Sequence, residues 1–288
     1  MEESWSRGVI SNLELKTLRG RALYAVIAVL LILLSVTVVV PFIYAFTAGL
    51  KEPVEIFNAG LKLWPDLPKW NNYGEAWQRF GMLKLYGNTV VIILGGMISQ
   101  IGVSTLAAYS LSRLRPIGGR FVLLGFLLTL MIPWMAYFIP LYVNIVNLGL
   151  LNNYLGLWLP YGVNAFMIFL LKSFFDSLPD ELFDAARVDG AGPLRVLWDI
   201  VLPLSRPILL VLSILTFVGL WKDFLLPLIV LPDASLQPIT VRLWYQTQYF
   251  PVNLQMAGFF LGMLPPLAIA IILQRYMTQG LSLGAVKG

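Results

Sequence analysis

Neither cysteine nor histidine occurs among the 288 residues. That absence excludes disulfides, thiol nucleophiles, Cys/His metal sites and Ser-His-Asp triads; no catalytic residue and no metal site is expected of this chain. No GxxxxGK[ST] phosphate loop is present, so the chain brings no recognisable ATP site of its own. Charge is scarce: Asp, Glu, Lys and Arg make up 12% of the chain, against 58% hydrophobic residues. It is also unevenly placed, since Ala22–Leu50, Leu85–Ser112, Phe121–Leu171 and Leu243–Gln274 contain no ionisable Asp, Glu, Lys or Arg. A bilayer-spanning helix needs about 20 mostly apolar residues. With a mean hydropathy of +0.79, the chain reads as an all-α membrane protein. The first apolar run is too long for a signal-peptide core and has no small-residue cleavage site, so it reads as a retained helix.

Six spans are expected, at about 22–50, 86–111, 121–147, 154–175, 207–231 and 256–277, in a single transmembrane domain covering 1–288. The net charge of +5 fits cations flanking membrane spans, with lipid as the partner and no nucleic acid. Orientation follows from the same residues. Arg7, Lys16, Arg19, Arg21, Arg113, Arg115, Arg120, Lys172, Arg187, Arg195, Arg206, Arg275 and Lys287, 13 of the 20 cations, fall on one side. The short loop Arg113–Arg120 carries three Arg, and the opposite turn Leu148–Asn153 none. Both termini are therefore expected to be cytoplasmic.

Small residues recur at four-residue spacing, as Ser104, Ala108 and Ser112 and as Gly258 and Gly262, which lets helices approach closely. Pro133, Pro140, Pro160, Pro265 and Pro266 lie inside expected spans. Proline frees a carbonyl and kinks a helix, which a bundle tolerates where the freed group faces protein or a water-filled cavity. The outer segment 51–84 is rich in Trp, Pro and Asn and suits an interfacial helix. The segment 232–255 suits contact with a soluble partner.

Between the fourth and fifth spans runs a polar stretch, DAARVDGAGPLRVLWDIVLP at 184–203. Ser177 is placed to cap a helix whose first turn carries Asp180 and Glu181, favourable at the positive end of the helix dipole. That helix is expected to expose Leu182, Phe183, Ala185 and Ala186. Gly190 permits a sharp turn, and Pro193 can open a second helix over 194–200 that Pro203 and Pro207 end. The expected product is a helix–turn–helix over 177–206. In residue type and in every gap, Asp184-Ala185-Ala186, Asp189-Gly190 and Ile200-x-Leu202-Pro203 resemble the EAA loop of ABC-importer permeases, with Asp for the usual Glu at the first position. The resemblance implies the ABC type I importer permease fold, with this loop as the cytoplasmic coupling helix that docks on an ATPase. An amphipathic loop resting on the bilayer would not require Gly190 at that distance from Ile200.

The likeness extends along the chain. The stretch LVLSILTFVGLWKDFLLPLIV at 210–230, the QGLSLGAVKG ending, Asn71-Asn72-Tyr73, Asn88 and IPLYVNIVNLGLLNNYLGLWLPY are similar to the MalG-like permeases of maltose-type carbohydrate importers. That resemblance implies a bacterial or archaeal cytoplasmic membrane, a heterodimer with a second related permease, two ATPase subunits and an extracytoplasmic solute-binding protein. It implies a sugar or oligosaccharide as cargo, or a polyol phosphate. The chain itself would bind no cofactor, ATP and Mg being used by the partner ATPase. Gly284, Val286 and Lys287 resemble a tail that reaches between the ATPase subunits, although a ten-residue terminus alone is expected to fray.

One departure concerns span five, where Trp221-Lys222-Asp223 replaces the family's Trp-Asn-Glu/Asp. Two ionisable residues within a span are costly and face a cavity or pair with each other. Lys222 thus pairs with Asp223, snorkels to the interface, or meets an anionic cargo. Trp221, Trp134, Tyr161 and Asn164 supply the aromatic faces and amides that a sugar path needs, although for each residue taken singly anchoring or packing is the commoner role. Two other readings stand beside carbohydrate import. An importer for phosphate, amino acids or peptides does not explain the GAVKG ending. A membrane scaffold without transport does not explain the loop.

Overall fold

Backbone polar groups within a bilayer must be satisfied inside the protein, and a helix satisfies them within one segment. The computed structural model describes residues 17–58 and 62–284, the last twelve of these by backbone alone, and every regular element among them is helical. Three helices are long and apolar enough to cross a membrane: Leu18–Gly49, Met82–Leu114 and the one running through Val252–Ile272. Three more crossings arise if each of three bent helix pairs counts as one. The contacts of the chain fall into two compact units, residues 1–76 with 250–260 and residues 77–249 with 261–288.

In the first unit, α1 (Leu18–Gly49) starts at Thr17, whose hydroxyl accepts from the Gly20 N–H at 3.0 Å. It is apolar on all sides and buries only Ala45, Thr47, Ala48 and Gly49 against its own unit. A helix apolar all round seeks lipid or a neighbouring subunit. Two short helices follow, α2 (Pro53–Asn58) and α3 (Asn71–Phe80). The Asn72 amide donates to the carbonyls of Gly49 at 2.9 Å and Lys51 at 3.0 Å, and the Tyr73 hydroxyl to that of Phe46 at 2.8 Å. The Phe46 and Gly49 carbonyls are among those a helix end leaves unpaired. Burial pushes the Tyr73 phenol well above its usual range, so it stays a neutral donor. Gly49 has no room for a side chain, because a Cβ there would stand 2.8 Å from the Tyr73 hydroxyl.

The second unit is built on α4 (Met82–Tyr109), which packs against α7 (Leu155–Tyr161), α8 (Ala165–Asp176) and α12 (Arg206–Trp221). The Ser104, Ala108, Ser112 stripe faces this interior and is buried throughout. Three expected spans are not continuous. The third divides into α5 (Gly119–Thr129) and α6 (Trp134–Asn147), bent by 106°, with Pro133 extended at the break. The fourth divides into α7 and α8, bent by 47°, with Asn164 extended at φ −127°. The fifth ends at Trp221 and resumes as α13 (Leu225–Val230).

Prolines explain the last break. Pro227 has no N–H for the carbonyl four residues back, that of Asp223, and its ring crowds it. The Thr240 hydroxyl, on α14 (Ile239–Gln246), bonds that carbonyl at 3.0 Å instead. In α15 (Val252–Gly284), Pro265 and Pro266 likewise release the carbonyls of Leu261 and Gly262. The Tyr86 hydroxyl takes the first at 2.7 Å, and the Trp221 indole takes the second at 3.3 Å. The segment before α14 is tied to α4 through the Asn88 amide, which donates to the Ser235 and Gln237 carbonyls at 2.8 and 3.0 Å.

Candidate functional site

Two features of the second unit carry the candidate chemistry. The first is the loop 177–206. Its opening helix, α9 (Asp180–Val188), has Pro179 at its N-cap position and no side-chain cap. Ser177 does not cap it. The Ser177 hydroxyl donates back to the Phe174 carbonyl at 2.7 Å, relieving an end-of-helix acceptor of α8 before the chain turns extended at Pro179.

The end of α9 shows why glycine stands at 190. The Gly190 N–H bonds the Arg187 carbonyl at 3.0 Å, and the Ala191 N–H bonds the Ala186 carbonyl at 2.9 Å. With Gly190 at φ +71°, this is a Schellman motif. No atom crowds a Cβ at Gly190, so conformation and not space demands glycine. Asp189 is the C-cap residue.

The exposed face of α9 differs from the expected one. Phe183 and Ala186 are buried in a core cluster with Phe175, Leu197 and Val201. Leu182, Asp184, Ala185 and Val188 are exposed, Val188 at 88%. The physical reason is helical spacing: positions 183 and 186 are three apart and share the face turned to the chain's own core. Asp184 is held by Arg187 at 3.2 Å.

The second helix is longer than expected, running Pro193–Leu204 through a π turn at Leu197–Val201. The helix stops at Leu204, between Pro203 and Pro207 as expected, and Pro203 is accommodated in its last turn, where the wide turn ahead makes room for a ring without an N–H. Ile200 and Leu202 pack partly buried against the same core cluster. The chain then bends by 80° into α12.

The second feature is a cavity of about 660 Å³ where the broken helices meet. Trp134, Tyr161, Asn164 and Asp223 line it, with Tyr137 and Phe138. Each of the four sits beside a break. Trp134 begins α6 and stands edge-on to Phe138, ring centroids 5.2 Å apart. Tyr161 ends α7 and donates its hydroxyl to the Asp223 carboxylate at 2.6 Å. The side-chain oxygen of Asn164 caps α8 by accepting from the Met167 N–H at 2.9 Å. Among the described residues, the carboxylate of Asp223 is the one charged group lining the cavity.

The remaining two residues of the expected path lie elsewhere. Trp221 is buried, stacked near Phe217 and Tyr86, and spends its N–H on the carbonyl that Pro266 released. Lys222 is exposed and forms no ion pair with Asp223, whose carboxylate is taken by Tyr161. Pairing was the weaker geometry because Lys222 is the C-cap of α12 and Asp223 follows it in the break, so neighbouring side chains diverge. Gly284 is the last residue of α15, so the backbone is helical further than the composition of the tail suggests, and Val286 and Lys287 lie outside the described residues. No group of three Asp or Glu able to hold a metal occurs among the described residues.

The residues that fasten the loop have no distinctive sequence signal. Tyr109 donates to the Pro193 carbonyl at 2.9 Å and Ser112 to the Asp176 carboxylate at 2.6 Å. Arg113 pairs with Asp180. Arg113 registers in sequence only as one more cation beside a span, since its partners lie more than sixty residues away.

The family model described as binding-protein-dependent transport system inner membrane component matches residues 100–283. The sn-glycerol-3-phosphate transport system permease protein UgpE of Yersinia pestis bv. Antiqua (strain Antiqua) is 35% identical over 266 residues, covering 88% of this chain and 94% of that protein. The diacetylchitobiose uptake system permease protein NgcG of Streptomyces coelicolor is 31% identical over 273 residues, covering 93% and 90%. A crystal structure of a bacterial ABC transporter involved in the import of the acidic polysaccharide alginate contains a chain that superposes with a TM-score of 0.82. At 24% identity, over 90% of this chain and 98% of that one, it shares the fold.

Proposed function

Since the chain belongs to the family of binding-protein-dependent transport system inner membrane components, we propose that it is the permease subunit that passes a sugar or oligosaccharide through the 660 Å³ cavity between its broken helices. The observation that carries this reading is the lining of that cavity. Trp134, Tyr137 and Phe138 offer apolar ring faces, Asn164 an amide, and Asp223 a carboxylate able to accept hydroxyl protons. Sugars are bound by that combination of flat apolar surface and a few placed polar groups. The cargo names carried by the two curated relatives, glycerol phosphate and diacetylchitobiose, are in keeping with it.

In the proposed assembly the chain pairs with a second related permease and two ATPase subunits, and an external binding protein delivers the cargo. ATP and Mg are used by the ATPases. The loop 177–206 docks on one of them through Leu182, Ala185 and Val188, the residues α9 leaves exposed, and the tail with Gly284, Val286 and Lys287 reaches toward the same subunits. Loop and termini face the cytoplasm, as the cations Arg113, Arg115, Arg120 and Arg187 favour.

A second reading, an anionic cargo such as a sugar acid or polyol phosphate, is favoured by Lys222, an exposed cation in the span-five break that stands next to the cavity-lining Asp223 without lining the cavity itself. One experiment separates the two. The complete complex is reconstituted with its binding protein, and ATP hydrolysis is measured against neutral sugars and their phosphorylated or acidic counterparts. Stimulation by neutral sugars, unchanged in Lys222→Met, supports the first reading. Stimulation by anions alone, lost in Lys222→Met, supports the second.

A further inference from the structure

One guanidinium at the end of α4 gathers four partners from three successive pieces of the chain. Arg113 Nη1 pairs with the Asp180 carboxylate in the first turn of α9. Nη2 donates to the Phe175 carbonyl, in the last turn of α8, and to the Leu178 carbonyl in the link between α8 and α9, the latter at 2.7 Å. The flat face of the group lies 3.9 Å from the centroid of the Phe183 ring, a cation–π contact on α9 itself. The Arg113 side chain is only 7% exposed.

This combination calls for arginine. Its planar fork presents donors in several fixed directions and a face that stacks on a ring, whereas a lysine ammonium is a single compact centre. The backbone is shaped for it. Residues Ser110–Leu114 form a π turn, closed by the Arg115 N–H on the Ser110 carbonyl at 2.9 Å, with Arg115 left-handed at φ 47°. Single π turns concentrate at functional positions. Tyr109 and Ser112 extend the same attachment to Pro193 and Asp176.

We propose that Arg113 is the positioning residue that makes α9 move as one body with α4, so that a displacement of the loop reaches the helices around the cavity. The path is continuous: α4 packs on α7, α8 and α12, whose ends carry Tyr161, Asn164 and the Lys222–Asp223 break. Asp180 is largely exposed and serves as the outer arm of the clamp, while Phe183 and the two carbonyls form its buried part. This inference rests on the loop's being the ATPase-coupling element.

The absence of cysteine allows the test to be made directly. Spin labels are placed at Ile139→Cys on α6 and Phe166→Cys on α8, both exposed, and the distance between them is measured in the assembled complex before and after trapping with ATP and vanadate. The expected result is a distance change in the otherwise wild-type chain that falls to less than about half in Arg113→Lys and Arg113→Gln, while ATPase subunits still co-purify. Arg113 acting only in stability would lower the yield of complex and leave the distance change per complex intact. That outcome overturns the proposal. Should neither Arg113 variant assemble, Asp180→Asn decides, a reduced change supporting the clamp and a wild-type change overturning it. No distance change in the wild-type chain would instead sink the coupling reading of the loop, and the clamp with it.

Discussion

Gly190 shows what a single residue contributes here. Its positive φ closes α9 in a Schellman motif, and a residue with a Cβ in that conformation costs roughly 1–2 kcal/mol. Gly190→Ala is expected to lose about 1 kcal/mol at that turn, and Gly190→Leu more, with the exposed face of α9 re-aimed in both. Cargo uptake by membrane vesicles measures the effect. The expected order is wild type above Gly190→Ala above Gly190→Leu, and equal uptake in all three would remove the loop's role. Tyr161 and Asp223 make a second prediction at this scale. Tyr161→Phe deletes the donor to a carboxylate in a largely apolar cavity, and hydrogen bonds to charged groups contribute about 1.5–3 kcal/mol. Uptake is expected to fall by about tenfold or more, and Asp223→Asn in the Tyr161→Phe background is expected to recover part of it, since a neutral amide needs the lost donor less. No recovery would mean that the pair acts on cargo and not on each other.

At the scale of the element, the apolar runs and the loop are legible in the amino-acid sequence, and the interruptions are not. Charge-free runs mark where helices cross, because a bilayer tolerates few charges. They carry no sign of where a helix stops inside a run. The break at 222–224 depends on a donor distant in sequence, since the Thr240 hydroxyl takes the Asp223 carbonyl that Pro227 cannot serve. Trp221 is the clearest case. Its residue type suits sugar stacking, yet it caps the Gly262 carbonyl that Pro266 releases. The local sequence suggests that Pro266 frees an acceptor, but not which residue answers it. A double-mutant cycle tests the pairing. Trp221→Phe orphans a buried carbonyl at a cost of about 1–3 kcal/mol, whereas in Pro266→Ala the backbone can serve that carbonyl itself. Thermal unfolding of the purified complex is expected to show the loss in Trp221→Phe and less than half of it in the double variant. Additive losses would contradict the pairing.

For the whole molecule, the features on which function turns are unequally visible. Gly190 and Pro193 are legible as a turn and a helix start, because a Schellman turn and a helix start need particular residues at fixed places, whereas Asp184, Ala185 and Pro203 stand out only through their resemblance to the EAA loop. The face that α9 exposes is not legible, since Phe183 and Ala186 answer to a core built from α8 and the second helix. Orientation in the bilayer is open to direct measurement in a chain free of cysteine. With Ile117→Cys and Tyr249→Cys made singly, both at well exposed sites outside the proposed docking face, an impermeant maleimide applied to intact cells is expected to label Tyr249→Cys and to reach Ile117→Cys only after the membrane is opened. Labelling of Ile117→Cys from outside would invert the topology.

The central claim is that the exposed face of α9 receives the force that moves cargo through the cavity. Ala185 lies on that face with no role in the core, so Ala185→Trp obstructs docking without disturbing the fold. The deciding measurement is ATP-driven uptake of a radiolabelled sugar panel by proteoliposomes holding the full complex, wild type against Ala185→Trp. The expected result is uptake that requires ATP and the binding protein in the wild type and falls at least tenfold in Ala185→Trp, with the variant chain inserted normally. Uptake in Ala185→Trp equal to the wild type, or uptake that proceeds without ATP, would contradict it.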